Sequence, residues 1–311
     1  SDFAGWTIYD LTGLSKAEFL WVLRGTYKAI SAPRKRKGLL PRSPKRRAPL
    51  QSSTHLSTAV RLCAVYNFLR YHTPAQLLEK IFRVSAETLR QDRDHILPIL
   101  TCFLAANTRI GWPNEKEKKN FPTWRNAIGA IDCKSHFRNR VHPCHSWYYR
   151  GDKHATFVSC QMACSLDGGK IFSISLVRGH INDQAALNLT GVGHHIAITG
   201  TILLGDGGYK HGNIIAPRDV EKRSKSFQQY QRGVVENVNG QNDCWAVSSS
   251  RVRASPGRQL MCLRSTWETT ARRSPLRPTM HASLAREENP TPVVSSLEEE
   301  AYTGEEVDNK I

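Results

Sequence analysis

Three carboxylates sit where the sequence changes character. Asp132 closes the apolar run AIGAIDC, Asp206 closes ILLGDGG, and Glu236 lies in the helix-compatible stretch VVENV, one turn after Arg232 on the same face. They can converge if the two strands are neighbours and the helix crosses their ends. Convergence has a chemical use, because clustered carboxylates repel and stay ionised together only when a cation neutralises them. Hard oxygen ligands select Mg2+ or Mn2+ over zinc. Two such ions about 4 Å apart can activate a water and stabilise the leaving oxygen of a phosphodiester. Plainer roles stay open for each residue. Asp206 before Gly207 and Gly208 suits a turn, and Asp132 can bond amides at a strand end. Glu236 can pair with Arg232 on a helix surface, and Asn182 or Asp183 can cap the helix of NDQAALNLTG.

A second group, Cys133, His136, His142, Cys144 and His145, carries zinc-ligating side chains. Its spacing matches no common finger, and paired CxxC knuckles are absent. A zinc-containing nucleic-acid module is therefore the weaker alternative. The eight cysteines, at 63, 102, 133, 144, 160, 164, 244 and 262, follow no disulfide-scaffold rhythm and are expected as free thiols of an intracellular protein.

The elements that must position these residues follow from periodicity. SKAEFLWVLRGTYKAI has apolar positions at helical intervals. From residue 54 to 100 the pattern is helical again, with Leu56, Ala59, Val60, Cys63, Tyr66 and Leu69 on one face. HTPAQLLEKIF predicts a helix with Thr73 as N-cap, Pro74 at the first helical position and Gln76 completing a capping box. RVSAETLRQDRDHIL predicts the next, capped by Ser85, with an end or kink near Pro98. Two helices with a short joint, the second bearing Arg90, Gln91 and Arg93 on its polar side, suggest a helix-turn-helix; a small bundle with a charged face is the alternative. From 124 the period changes. TWRNAIGAIDCK, HATFVSCQMACSLDGG, KIFSISLVRG and HIAITGTILLGDGG read as strands, with LDGG as a tight turn and a further helix near FQQYQRGVVENVNG. Strands followed by helix, strand and helix describe a mixed α/β sheet with packed helices.

Net charge is +17, from 44 Lys+Arg against 27 Asp+Glu, which favours polyanionic partners. No apolar stretch approaches the roughly 20 residues of a membrane span, and the N-terminus lacks a secretory apolar region, so nucleic acid is the better partner. Residues 33–48 hold eight Lys/Arg, including Arg34, Lys35, Arg36 and Lys37, with no acid. They read as a solvated linker that can also serve as a nuclear-import signal or a DNA-backbone arm.

Five landmarks in order resemble the PIF/Harbinger branch of DDE transposases, the group of the Harbinger transposase-derived nuclease. They are the helical segment 54–100, IGAIDCK, WYYRGDKHATFVSCQMACSLDGGKIFSISLVRGHIND, ILLGDGGY and RGVVENVNG. The resemblance covers about residues 54–240. It implies an RNase H-like core preceded by a small all-α helix-turn-helix domain. Asp132, Asp206 and Glu236 would be catalytic and, with Asp183, would hold Mg2+ or Mn2+. Lys210 is expected to contact phosphate, with Tyr209 near the substrate. A Myb-like partner protein, DNA as substrate, and the nucleus (with the cytoplasm as a further compartment) also follow from the resemblance. After Glu236 the sequence departs from the family, where a basic helix is usual. A catalytically inactive, domesticated DNA-binding or regulatory protein is therefore the alternative to an active nuclease. The expected organisation is an N-terminal helix and basic linker (1–53), a helix-turn-helix-like domain (54–105), a nuclease core (120–243) and a disordered tail (244–311). That last expectation rests on the patternless stretch 251–286, with eight arginines and one glutamate, and the acidic end.

Overall fold

The computed structural model describes residues 7–32, 56–140, 142 and 144–272. The basic arm from Arg34 to Lys37 and residues 273–311 lie outside the described residues. Helices α1 (Ile8–Thr12) and α2 (Lys16–Ser31) lead, each opened by a capping box in which the N-cap hydroxyl and an acidic residue satisfy each other's amides. Then come α3 (Thr58–Tyr71), α4 (Ala75–Phe82), α5 (Ala86–Ala106) and α6 (Glu115–Lys118). The sheet region comprises β1 (Ala127–Phe137), β2 (Tyr149–Arg150), β3 (Ala155–Ser165), β4 (Ile171–Arg178), α7 (Asp183–Leu189), α8 (Val192–Ile198), β5 (Ile202–Leu204), β6 (Ile214–Ile215) and α9 (Lys225–Asn242). Two more helices, α10 (Ala246–Ser249) and α11 (Pro256–Arg272), follow.

The six strands form one mixed sheet. β3 pairs antiparallel with β1 and β4, whereas β5 runs parallel to β1 and β6 parallel to β5. β2 and β4 share the outer edge of β3. The β3–β4 turn forms at LDGG as predicted. Gly168 takes φ 68°, and Asp167 Oδ1 accepts the Gly169 amide at 2.8 Å. β1 serves two layers, and a register irregularity between Ala127 and Gly129 breaks the strict alternation near its start. Ala130 packs towards Val235, Val238 and Trp267 of α9 and α11. Ile128 and Ile131 pack towards Leu187, Ile196 and Tyr209 on the α7–α8 side. A six-stranded mixed sheet flanked by helices is consistent with an RNase H-like nuclease fold.

Several local expectations change. HIAIT is helical in α8, where Val192 and Ile196 are buried one turn apart between left-handed Gly191 and Gly200. Thr73 does not cap α4. Pro74 occupies that position, and Thr73 Oγ1 instead donates to Asn67 Oδ1 at 2.8 Å. Ser85 caps α5 as expected, accepting from the Thr88 amide. α5 continues through Pro98 because Ile96, Leu97 and Leu100, all 0% exposed, hold it in the core on both sides of the missing hydrogen bond.

The larger correction concerns the expected disordered tail. Residues 244–272 are folded, and Trp245 and Trp267 are both 0% exposed. Leu14, Phe19, Ile30, Leu62 and Leu97 share one core with Trp245, Val247 and Cys262, so the leading helices and the segment after α9 close on each other. α11 shows no apolar period because nearly every side of it is covered. Its polar residues are bonded inward, with Ser265 Oγ 2.9 Å from Thr101 Oγ1 and Glu268 accepting from Thr108 Oγ1 at 2.6 Å. Among the described residues no helix is long and apolar enough to cross a membrane.

Candidate active site

In the parallel β1–β5 pair Ala130 faces Leu204. Asp132 and Asp206 each stand two residues further on, Asp132 midway along β1 rather than at a strand end and Asp206 just past the end of β5, so they lie side by side. Asp183 arrives from the other side as the first residue of α7. Asn182 does the capping, its Oδ1 accepting from the Ala185 amide at 2.8 Å, and leaves the Asp183 carboxylate free of that duty. A Cβ built on Gly208 would lie 3.1 Å from Asp206 Oδ1 and 3.3 Å from Asp183 Oδ2, so both carboxylates border one point. The Gly208 amide donates to Asp206 Oδ1 at 2.9 Å, which makes the turn reading of Asp206 true as well.

Charge and burial act strongly here. Burial is the largest influence lifting Asp132 above the usual carboxylate range, and the neighbouring Asp206 and Asp183 add to it. The Cys133 amide and the Arg232 guanidinium oppose the rise. Asp183 is raised too, first by burial and then by Asp206, against a Cys133 hydrogen bond and the charges of Arg150 and Lys153. On the α9 side, Asn239 Nδ2 is 3.4 Å from Asp132 Oδ2. Lys134 Nζ lies 2.6 Å from Asp243 Oδ1 and 2.7 Å from the Asn239 carbonyl, fixing that end of α9 to β1.

Glu236 takes a different position. Its Oε1 accepts from Arg232 Nη2 at 2.8 Å, and its side chain is 58% exposed. The structure thus brings Asp132, Asp183 and Asp206 into one electrostatic group and holds Glu236 on the arginine that faces it. Among the described residues no three His, Cys, Asp or Glu side chains are arranged as a metal-ion cage.

Tyr209, expected near the substrate, is instead 0% exposed. Its hydroxyl is 3.5 Å from both Cys133 Sγ and Gln161 Nε2, forming a polar layer behind the carboxylates in which burial pushes the Cys133 thiol up to about 12. Lys210 is exposed, and its amide donates to Gln184 Oε1 at 2.6 Å. Arg218, which no sequence signal marked, donates to the carbonyls of Gly207 and Tyr209 and so supports the loop that carries Asp206. The Cys/His group does not assemble. Cys133 points to the Tyr209 side of the sheet, while His136 is buried on the other face with Nδ1 2.8 Å from the Ser248 carbonyl. Strand alternation separates residues three apart, which removes the zinc reading. On α5, Arg90 and Gln91 bond to Glu87, and Arg93 lies 4.8 Å over the Phe68 ring beside Asp94.

Residues 131–285 match the family model described as DDE superfamily endonuclease. No curated protein and no solved structure matches the chain. The family match spans all four acidic residues as well as α10 and α11. It supports a DDE transposase-like family with a nuclease or transposase-like function.

Proposed function

We propose that this DDE endonuclease region makes the protein a divalent-metal-dependent DNA endonuclease acting at Asp132, Asp183 and Asp206. One observation carries the reading: the strand register sets Asp132 beside Asp206, and Asp183 borders the same loop at Gly208. The residues fit a hard dication. Their oxygens are of the preferred kind, and the burial and mutual repulsion that raise Asp132 and Asp183 would be relieved by positive charge. DDE endonucleases generally use divalent metals, and Mg2+ or Mn2+ held there would lower the pKa of a water and steady the departing oxygen. Asp132, Asp183 and Asp206 would hold it, with Glu236 as the fourth proposed ligand. Arg232 keeps Glu236 in place and draws Asp132 towards its charged form. Lys210 offers its ammonium to substrate phosphate. Arg90 and Gln91 at the start of α5, together with Arg34, Lys35, Arg36 and Lys37, would hold the DNA backbone, with Arg93 contributing through its exposed edge.

The finer assignment to the PIF/Harbinger branch rests on the five motifs in order, and a Myb-like partner and nuclear location come with it. Plasmid nicking tests the reading. The purified chain should nick DNA in Mg2+ or Mn2+, and Asp132→Asn or Asp206→Asn should each lower the rate at least about a hundredfold, the scale of loss from misplacing a reacting group by 1 Å. Nicking that survives both substitutions in folded protein removes the mechanism. A second reading, a catalytically silent DNA-binding regulator on the same fold, is favoured by the Arg232–Glu236 ion pair. It predicts DNA binding with no metal-dependent nicking.

A further inference from the structure

Between β1 and β3 the chain crosses the sheet edge and leaves an aromatic and basic surface. Trp147 is 44% exposed and Tyr149 36%, whereas Tyr148 between them turns inward at 9%. Both outward rings are braced. The Arg178 guanidinium lies 3.9 Å over the Trp147 ring, and His180 Nδ1 is 2.6 Å from the Trp147 carbonyl. Tyr149 pairs in the sheet with Thr156, and the His145 ring lies 5.1 Å away. Two cations follow. Arg150 bonds Asp152 at 2.8 Å, and Lys153 Nζ reaches Ser135 Oγ at 3.2 Å, on the face of β1 that carries Cys133, the hydrogen-bond partner of Asp183. Both lie near enough to Asp183 to act on its carboxylate.

Arg178 and His145 brace these rings, yet each ring side chain keeps a third or more of its surface in water beside cations. A nucleic acid strand supplies both complements, flat bases for the rings and phosphates for the cations. A closed duplex keeps its base faces stacked inside, so an unpaired strand suits the surface. We infer that residues 145–153 bind an unpaired DNA strand flanking the bond to be cut, with Trp147 and Tyr149 stacking on bases and Arg150 and Lys153 taking the phosphates nearest Asp183. The location beside the cut rests on the nuclease reading; the binding itself does not.

Fluorescence anisotropy on the full chain, without divalent metal, compares a labelled oligothymidylate with a blunt duplex. The Trp147→Ala/Tyr149→Ala protein should lose about tenfold or more in affinity for the single strand, as expected when a stacked base is lost, and stay within about twofold on duplex. Trp147→Phe, which keeps a ring, should retain most of the single-strand affinity. Arg150→Gln/Lys153→Gln should lower the slope of log affinity against log salt by about 1.4, two phosphates' worth on a single strand. Circular dichroism melts matching the parent protein establish that the variants fold. Single-strand affinity unchanged in the double aromatic variant, or lost equally on duplex, overturns the inference. Metal-dependent nicking by a parent protein whose aromatic variants bind normally sinks this inference alone. Loss of single-strand binding in variants of a protein that never nicks sinks the nuclease reading alone.

Discussion

Gly208 has no side chain where two carboxylates meet, and that emptiness can be tested. Its backbone lies outside the left-handed region, so alanine is sterically acceptable to the chain itself. The added methyl would press on Asp206 Oδ1 and Asp183 Oδ2 at 3.1 and 3.3 Å. Gly208→Ala should therefore weaken Mn2+ binding, read as free ion by paramagnetic resonance, and slow nicking while leaving the melting temperature nearly unchanged. His136 gives a second prediction at this scale. It is 0% exposed, and burial pushes its imidazole down to about 4 from 6.5. The unfolded chain thus takes up a proton between these values that the folded chain refuses. The stabilisation from the neutral ring is complete above pH 6.5 and is lost as pH falls from 6.5 to 4, to the extent of about 3 kcal/mol. The raised carboxyls of Asp132 and Asp183 act in the opposite sense, because the folded state binds their protons more readily. Comparison with His136→Gln isolates the histidine: stability measured by denaturant at pH 7 and pH 4.5 should change less in the variant.

Among the elements, the link between α2, α3 and α5 invites a direct test. Asp92, 3% exposed, bonds Arg61 Nε and Nη2 at 2.9 Å through Oδ1, and Arg61 Nη1 donates to the Ile30 carbonyl. Asp92→Ala removes the buried carboxylate that pairs with the largely buried Arg61 guanidinium and should cost about 3–5 kcal/mol in equilibrium unfolding. The sequence carried much of this level plainly. The face from Leu56 to Leu69 becomes α3, LDGG becomes the β3–β4 turn, and FQQYQRGVVENVNG becomes α9. Where reading failed, burial on several sides had erased the period. α11 carries Ser265, Thr266, Thr269 and Thr270 into the interior, and polarity there imitates exposure. α8 is short and β-branched, so only its bounding glycines mark it as a helix. At the site, the two aspartates were legible because an apolar run that ends on a charge needs a reason. The position of Glu236 was not, because it depends on where the Arg232 guanidinium settles.

For the molecule as a whole, the decisive question is what the segment after Asp243 contributes. Trp245 and Trp267 are fully buried, and removing either side chain typically costs about 3–5 kcal/mol against a total stability of about 5–15 kcal/mol. A chain stopped after Asp243 loses both and should show no cooperative melt by calorimetry. The helix that comes last among the described residues is central in space. Its Cys262 sits in the helical core, Leu263 against Tyr148 and Trp267 under the sheet. Everything made before it must wait on the ribosome with apolar faces uncovered. A premature stop or a shifted reading frame upstream of Trp267 would therefore release no smaller folded protein, only a chain for chaperones and proteases to clear.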